Sequence, residues 1–381
     1  MGYSTAQIGE LIQQGENSAV EFKSQRVHTD SIARELVALS NAQGGVLLIG
    51  VEDDGAISGV SDVSKMEEKI ANIARTNVVP SITVENYIVN YQQNQLLVIE
   101  VPKGSDRPYQ TNQNQFLLRV GSTNRALTQR ELMRLFQQSG VFHFDATSVP
   151  GTELKDLNLT KLDQYFAQYS FDFSSEEDKE RVLANIDVMS DKGEVTVAGL
   201  LMFGINPQKW LHFAEISYAH FSGTAVGSEL IDKQVVTGTV DFQVDSGMAV
   251  IRNNLLVSST IQAARRVDQL PYAENIFREL LVNAVVHRNY SIAGARIRIQ
   301  QFDDRIEFIS PGRLPNTVTI EKLSMGVSYA VNPVLLKFME NQRYIDKLGR
   351  GLPMVYQAAK QRGKGAVFEE YGEEFKVTLP L

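Results

Sequence analysis

Cysteine is absent from the 381 residues, which excludes a disulfide scaffold and any zinc site built on thiolates. Histidine is scarce: His28, His143, His212, His220 and His287 are scattered, without the spacing of a ligand pair. Any metal must therefore be held by oxygen. No apolar run approaches the length that spans a bilayer, and the opening MGYSTAQIGE has neither a basic n-region nor an apolar h-region. The expectation is a cytoplasmic protein with no membrane partner. A surplus of Lys and Arg is missing too. With 37 basic against 45 acidic residues the formal net charge is -8, which argues against a protein that coats nucleic acid indiscriminately, because such binding displaces counterions with excess cations. Local basic patches stay open.

The length exceeds one ordinary core and implies two or three domains. A helix with Ile8, Leu11 and Ile12 precedes a strand over 19–23. In 30–41, Ile32, Leu36 and Leu39 recur at i, i+4 and i+7, the mark of a helix with one buried face. Gly44-Gly45 ends it, and the continuous apolar run 46–51 suits a strand covered on both faces. Asp53-Asp54-Gly55 reads as a hairpin turn into 56–60, and 82–91 with 96–101 as a second hairpin. A strand over 116–120 and a helix opened by a Thr128/Glu131 capping box close an α+β domain over 1–140.

Residues 141–194 are more polar and read as a helical connector, a solvated joint between domains. A second α/β unit is expected over 195–381, with strands over 197–203 and 214–221 and a long helix over 247–267. Ile251, Leu255 and Ile261 on that helix serve the core or a dimer, and the core is the expectation. Another helix runs to His287 with Pro271 in its first turn. Strands over 295–302 and 305–309 follow, Leu348-Gly349-Arg350-Gly351-Leu352 opens the last helix, and 375–379 is a closing strand.

Two groups of polar residues carry chemistry in this pattern. Glu16 precedes the first strand, Glu21 lies on it, and Asp53 follows the apolar strand. If 19–23 pairs with 46–51, the three converge at one sheet edge, where oxygen ligands suit magnesium or manganese. Lys23 shares the face of Glu21 and is placed to meet a phosphate. The plainer alternative is a helix-end Glu16, an edge-strand Glu21 paired with Lys23, and an ordinary turn at Asp53. Arg119, Arg125, Arg130 and Arg134 are candidates for nucleic-acid backbone contacts, since guanidinium groups bridge phosphate oxygens. Arg130 and Arg134 lie four apart on one helix face, which a solvated charged face explains equally.

The second group is a stripe. The helix over 272–287 is apolar nearly all round, through Ile276, Leu280, Leu281 and Val285, yet Glu279, Asn283 and His287 recur along it at i, i+4 and i+8. Buried polar groups without partners are costly, so the stripe is expected to face a ligand, water or a matching network. A glutamate one turn from an asparagine suits magnesium-nucleotide chemistry, the amide as metal ligand and the carboxylate orienting a water.

E-N-S-A-V-E-F-K, S-N-A-Q-G-G-V-L-L-I-G-V-E-D-D-G-A-I-S-G-V and F-L-L-R-V-G-S-T-N-R-A, in that order, resemble the Schlafen AlbA-type (AlbA_2) family over about residues 10–135. The resemblance implies nucleic-acid binding and, as in some members, metal-dependent cleavage of transfer or ribosomal RNA by two glutamates and an aspartate. Those fall on Glu16, Glu21 and Asp53, with magnesium or manganese between them. Glu52 stands where members often carry an aspartate, so Asp54 stays open as the third ligand. Many bacterial relatives are DNA-binding transcriptional regulators, which implies a non-catalytic alternative.

E-L-L-V-N-A-V-V-H-R-N-Y, F-I-S-P-G-R-L-P and K-L-G-R-G-L-P-M-V-Y resemble a GHKL-type ATPase-like domain over roughly 195–381. That resemblance implies an α/β sandwich that binds ATP, with Glu279 as general base, Asn283 as magnesium ligand, His287 on the same nucleotide-facing stripe, Gly312 in the adenine-side loop, and Gly349 and Gly351 in the phosphate-side loop. Ser310 stands where an aspartate reads the adenine amino group in typical members, which implies binding rather than turnover. The expectation is a homo-oligomeric, metal-dependent RNA or DNA endonuclease controlled by an ATP-binding domain, in defence or stress response. The alternative is a non-catalytic, ATP-responsive DNA-binding transcriptional regulator.

Overall fold

The computed structural model describes residues 3–262, 270–315, 318–323, 325–326, 329–345, 350–363 and 365–381, in two compact units that divide between Phe142 and His143. The first unit runs α1 (Thr5–Gln14), β1 (Val20–Lys23), α2 (Thr29–Asn41), β2 (Gly44–Ile49), α3 (Val63–Thr76), β3 (Val78–Val79), β4 (Glu85–Tyr91), β5 (Asn94–Pro102), β6 (Gln110–Thr111), β7 (Leu117–Val120), β8 (Thr123–Ala126) and α4 (Gln129–Gln138). Its main sheet has the order β1-β2-β5-β4, with β1 parallel to β2 and the other pairs antiparallel.

Strand alternation divides the apolar run of β2 between two cores. Leu47 and Ile49 join Ile32, Leu36 and Leu39 of α2 on one face, whereas Leu48 joins Phe22 of β1 and Ile8 of α1 on the other. Full burial of each such side chain is worth about 1.5–3 kcal/mol, so a strand covered on both faces is a strong anchor. Gly45 is fixed by close approach: a Cβ there would lie 2.4 Å from the Ala19 carbonyl oxygen. The expected hairpin from 53–55 into 56–60 reduces to a single bridge between Val51 and Ile57. Both edges of β2 are already taken, by β1 and β5, so a third strand has nowhere to pair.

The second unit runs α5 (Leu159–Ala167), α6 (Lys179–Ala184), α7 (Val197–Phe203), β9 (Ile216–Ser222), β10 (Glu229–Val236), α8 (Val240–Gln262), α9 (Glu274–Val286), β11 (Ile297–Gln301), β12 (Arg305–Pro311), α10 (Ile320–Leu323), α11 (Pro333–Asn341), α12 (Gly351–Gln361), β13 (Val367–Tyr371) and β14 (Glu374–Pro380). Its open sheet has the order β10-β9-β11-β12-β14-β13, with only β9 and β11 parallel. Ile216, Ile299, Phe308 and Val377 from one face of the sheet share a core with Ile251 of α8 and Leu281 of α9. The architecture is α+β in both units, and the second is the expected α/β sandwich.

Three expectations need correction. The run 197–203 is the helix α7 and not a strand, capped by Thr196, whose Oγ1 accepts from the Gly199 amide at 3.0 Å. All seven of its residues are buried, so no periodicity distinguished helix from strand. The stretch read as a solvated joint puts Leu162, Phe173, Leu183 and Val188 into the second unit's core from residue 143 onward. The long helix starts at Val240; its Ile251 and Leu255 are core residues, while the Ile261 side chain and Val267 lie outside the described residues. Among the described residues no helix is long and apolar enough to cross a membrane.

Candidate functional site

In the first unit, β1 does lie beside β2, with Glu21 level with Leu47 and Lys23 with Ile49. The parallel register sends Glu21 and Lys23 to the α2 face of the sheet, where they meet Glu35 from α2 and Arg119 from β7. Lys23 Nζ pairs with Glu21 Oε1 and lies 3.8 Å from Glu35 Oε1, while the Arg119 guanidinium is 2.5 Å from Glu21 Oε2 and 3.4 Å from Glu35 Oε2. Asn124 of β8 donates to Glu35 Oε2 at 2.7 Å. Arg119 also donates to the carbonyls of Asn17 and Val20. It is 5% exposed, so the residue expected at a phosphate-contacting surface is instead an internal brace.

Electrostatics of the cluster follow from its burial. Desolvation raises the Glu35 pKa, opposed by the Asn124 hydrogen bond and reinforced by the Glu21 charge. Burial alone would lower the Lys23 pKa, but the hydrogen bond and charge of Glu21, then the charges of Glu35 and Glu16, hold it above the ordinary value. Two carboxylates and two cations leave the cluster neutral. Glu16 Oε1 meanwhile accepts from the Phe22 amide at 3.1 Å, Asp54 Oδ1 from the Ala56 amide at 2.9 Å, and Asp53 stands exposed in its turn. Among the described residues no three His, Cys, Asp or Glu side chains are grouped to hold a metal ion. A divalent cation does not fit here, because the central carboxylate, Glu21, already faces two positive partners.

Arg125 is exposed and bidentate on Glu131, at 2.6 and 2.8 Å, which brings the Glu131 pKa down to about 2. Arg130 and Arg134 lie on α4 beside that pair, Arg130 exposed and Arg134 partly so.

The stripe on α9 faces a cavity of about 360 Å³, within the range of small-molecule sites. Glu279, Asn283, His287, Gly312 and Gly351 all line it; Gly349 lies outside the described residues. Asn283 Nδ2 donates to Glu279 Oε1 at 2.6 Å and to the Glu279 carbonyl at 2.8 Å. With both amide protons committed, the Asn283 carbonyl oxygen is the atom left for a ligand. Gly351 is the first residue of α12, and a Cβ there would fall 1.5 Å from Glu279 Oε1. The carboxylate therefore rests against a helix N-terminus, whose free N–H groups carry partial positive charge.

At the other end of the stripe His287 caps α9, and burial lowers its pKa to about 4. Ser310 of β12 donates from Oγ to the Ala284 carbonyl at 2.9 Å. Gly312, at φ +124°, is where the chain turns off β12 against Asn289, leaving 2.9 Å between its would-be Cβ and the Asn289 Cβ. Val286, Phe308, Leu314 and Leu323 supply apolar wall between the two ends.

Sequence reasoning missed Glu35 and Asn124 in the first cluster, and Arg350 in the cavity lining. Glu35 carried a signal: it sits three residues after Ile32 and one before Leu36, a charge on the face otherwise set for burial. Arg350 stood inside the quoted K-L-G-R-G-L-P stretch, overshadowed by its glycines.

Fold and cavity define a two-unit α+β protein with a ligand-sized pocket against a half-buried polar helix stripe. Residues 16–128 match the family model described as "Schlafen, AlbA_2", and residues 294–379 match that described as "Putative ATP-dependent DNA helicase recG C-terminal". The chain thus pairs a Schlafen AlbA_2 domain with a RecG C-terminal-like ATPase-type domain, the architecture its motifs imply. This pairing points to nucleic-acid-related function, and the second domain to ATP.

Two solved structures are similar. The DIP2311 protein from Corynebacterium diphtheriae is 20% identical with a TM-score of 0.46, covering 98% of this chain and 80% of that one. The N-terminal domain of a "Putative ATP-dependent DNA Helicase RecG-related Protein" from Nitrosomonas europaea is 22% identical with a TM-score of 0.27, covering 33% of this chain and 90% of that one. No curated protein matches.

Proposed function

We propose that this is a nucleic-acid-binding regulator whose second unit binds ATP with magnesium or manganese, and whose first unit binds nucleic acid without cutting it at Glu16, Glu21 and Asp53. The observation that supports the reading best is the corner where Asn283, Glu279 and Gly351 meet at the cavity. In the bound state the Asn283 amide oxygen would ligate the cation, with Glu279 fixing the amide's orientation. The cation's contribution is to neutralise phosphate charge. The first N–H groups of α12 and the Arg350 guanidinium take phosphate oxygens, as helix N-termini commonly do. Apolar wall from Val286 and Phe308 holds the base.

Saturating ATP with magnesium is expected to raise the melting temperature. A ligand at about 100 times its Kd adds about 2.7 kcal/mol, and a unit of this size gains about 2–4 °C per kcal/mol. Asn283→Ala should abolish the shift, and a shift that persists in that variant would sink the cavity reading.

For the first unit, phosphate contacts are assigned to Arg130 and Arg134, with Arg125 held in place by Glu131. Binding of a short RNA or DNA should weaken as salt rises, because each neutralised phosphate releases counterion. Alanine at both Glu16 and Asp53 should leave affinity unchanged and the strand intact. Magnesium- or manganese-dependent cleavage that disappears in this double variant would instead establish the metal-dependent endonuclease.

A further inference from the structure

We propose that His287 reads the base of the bound nucleotide, and that its imidazole admits 6-amino and 6-oxo purines alike. The inference rests on the reading of the cavity as a nucleotide site and adds the chemistry of its base end. Glu279 and His287 are eight residues apart on α9, about 12 Å along the axis. That span matches the reach from terminal phosphates to base in an extended nucleoside triphosphate. Gly351 and Asn283 mark the phosphate end, so His287 falls at the base end, beside Ser310 and Gly312 on the same cavity.

The His287 ring is free to act there. Among the described residues its side chain makes no hydrogen bond, although it lines the cavity and keeps partial exposure. His220 shows the contrast, with Nδ1 3.1 Å from Asn254 Oδ1 and Nε2 3.3 Å from Gln301 Nε2. Desolvation holds the His287 imidazole neutral through the physiological range, with one nitrogen as donor and the other as acceptor. Ser310 brings a hydroxyl whose proton is held by the Ala284 carbonyl, which leaves its oxygen to accept.

Selectivity follows from those donor sets. A carboxylate at the base end would only accept, and would favour a 6-amino group over a 6-oxo group. A neutral imidazole can match either by choosing its tautomer, presenting its acceptor to an amino group or its donor to an oxo group. The full-length protein should therefore bind ATP and GTP with similar affinity.

Titration calorimetry with magnesium and three probes, ATP, GTP and inorganic tripolyphosphate, tests this. The expected result for the wild type is ATP and GTP within about threefold of each other. His287→Ala should weaken both by about tenfold, the worth of one lost hydrogen bond, and leave tripolyphosphate, which has no base, unchanged. His287→Gln, whose amide offers a donor and an acceptor, should recover part of the loss. Equal ATP affinity in wild type and His287→Ala would overturn the proposal. So would a parallel loss of tripolyphosphate, which would mark His287 as a packing residue, or a wild-type preference for ATP of about a hundredfold. A wild type that binds none of the three refutes the nucleotide reading itself, and the base-reading role with it.

Discussion

Replacing Arg119 with methionine should lower the stability of the first unit by about 3–5 kcal/mol, the usual consequence of removing one partner from a buried charge cluster. Methionine keeps much of the stem's packing, so the loss isolates the charge. Without the guanidinium, Glu21 and Glu35 face one another with only Lys23 between them, and both are largely buried. The Asn17 carbonyl loses the guanidinium as donor as well, while the Val20 carbonyl keeps the Asn17 amide. Urea unfolding of the whole protein, followed by circular dichroism, measures the effect as a shift in the first unit's transition. Adding Glu21→Gln and Glu35→Gln to the methionine variant should recover part of the loss, because the uncompensated charges go with them. A change below about 1 kcal/mol would show that the cluster is solvated and that Arg119 is free for other duties.

Gly351→Ala is the second large effect, and it should fall on ligand binding rather than on folding. Alanine in a helix gains about 0.5–1 kcal/mol over glycine. Against that stands a Cβ placed 1.5 Å from Glu279 Oε1, closer than any non-bonded pair tolerates, so the Glu279 carboxylate must move. A flexible carboxylate can swing away at modest cost, but it then lets go of Asn283 and crowds the phosphate end. The variant is expected to melt near the wild-type temperature and to lose at least about tenfold in ATP affinity, equivalent to about 1.4 kcal/mol. Gly294→Ala serves as control, since a Cβ there meets nothing within 4 Å. An ATP-induced shift of wild-type size in Gly351→Ala would mean the carboxylate's position is irrelevant to the ligand.

The two candidate sites were legible to different degrees, and the reason is periodicity. Glu279, Asn283 and His287 share one helix, where a spacing of four fixes a common face, and the cavity lies on that face. Glu16, Glu21 and Asp53 come from a turn, a strand and another turn, and spacing says nothing about where turn side chains go. The β1–β2 pairing on which convergence was conditional does form, yet the alternation that puts Glu21 on the α2 face also delivers it to Arg119, nearly a hundred positions away. Only tertiary structure reveals such a partner. The plainer alternative, Glu21 paired with Lys23 on an edge strand, is the one observed for that residue. Unnoticed elements such as α3 had a pattern of their own, with Val63, Met66, Ile70 and Ile73 on one stripe and Asp62 accepting from the Lys65 amide.

The tether from Arg119 also sets an order on synthesis. A ribosome delivers residues 16–35, both acidic members of the cluster included, long before it delivers the hairpin of β7 and β8 that carries Arg119 and Asn124. Until that hairpin emerges, sealing α2 against β1 would enclose two negative charges with a single lysine. The nascent first domain should therefore stay open and protease-sensitive at lengths that already contain its whole four-stranded sheet, and close only when residue 124 has cleared the exit tunnel.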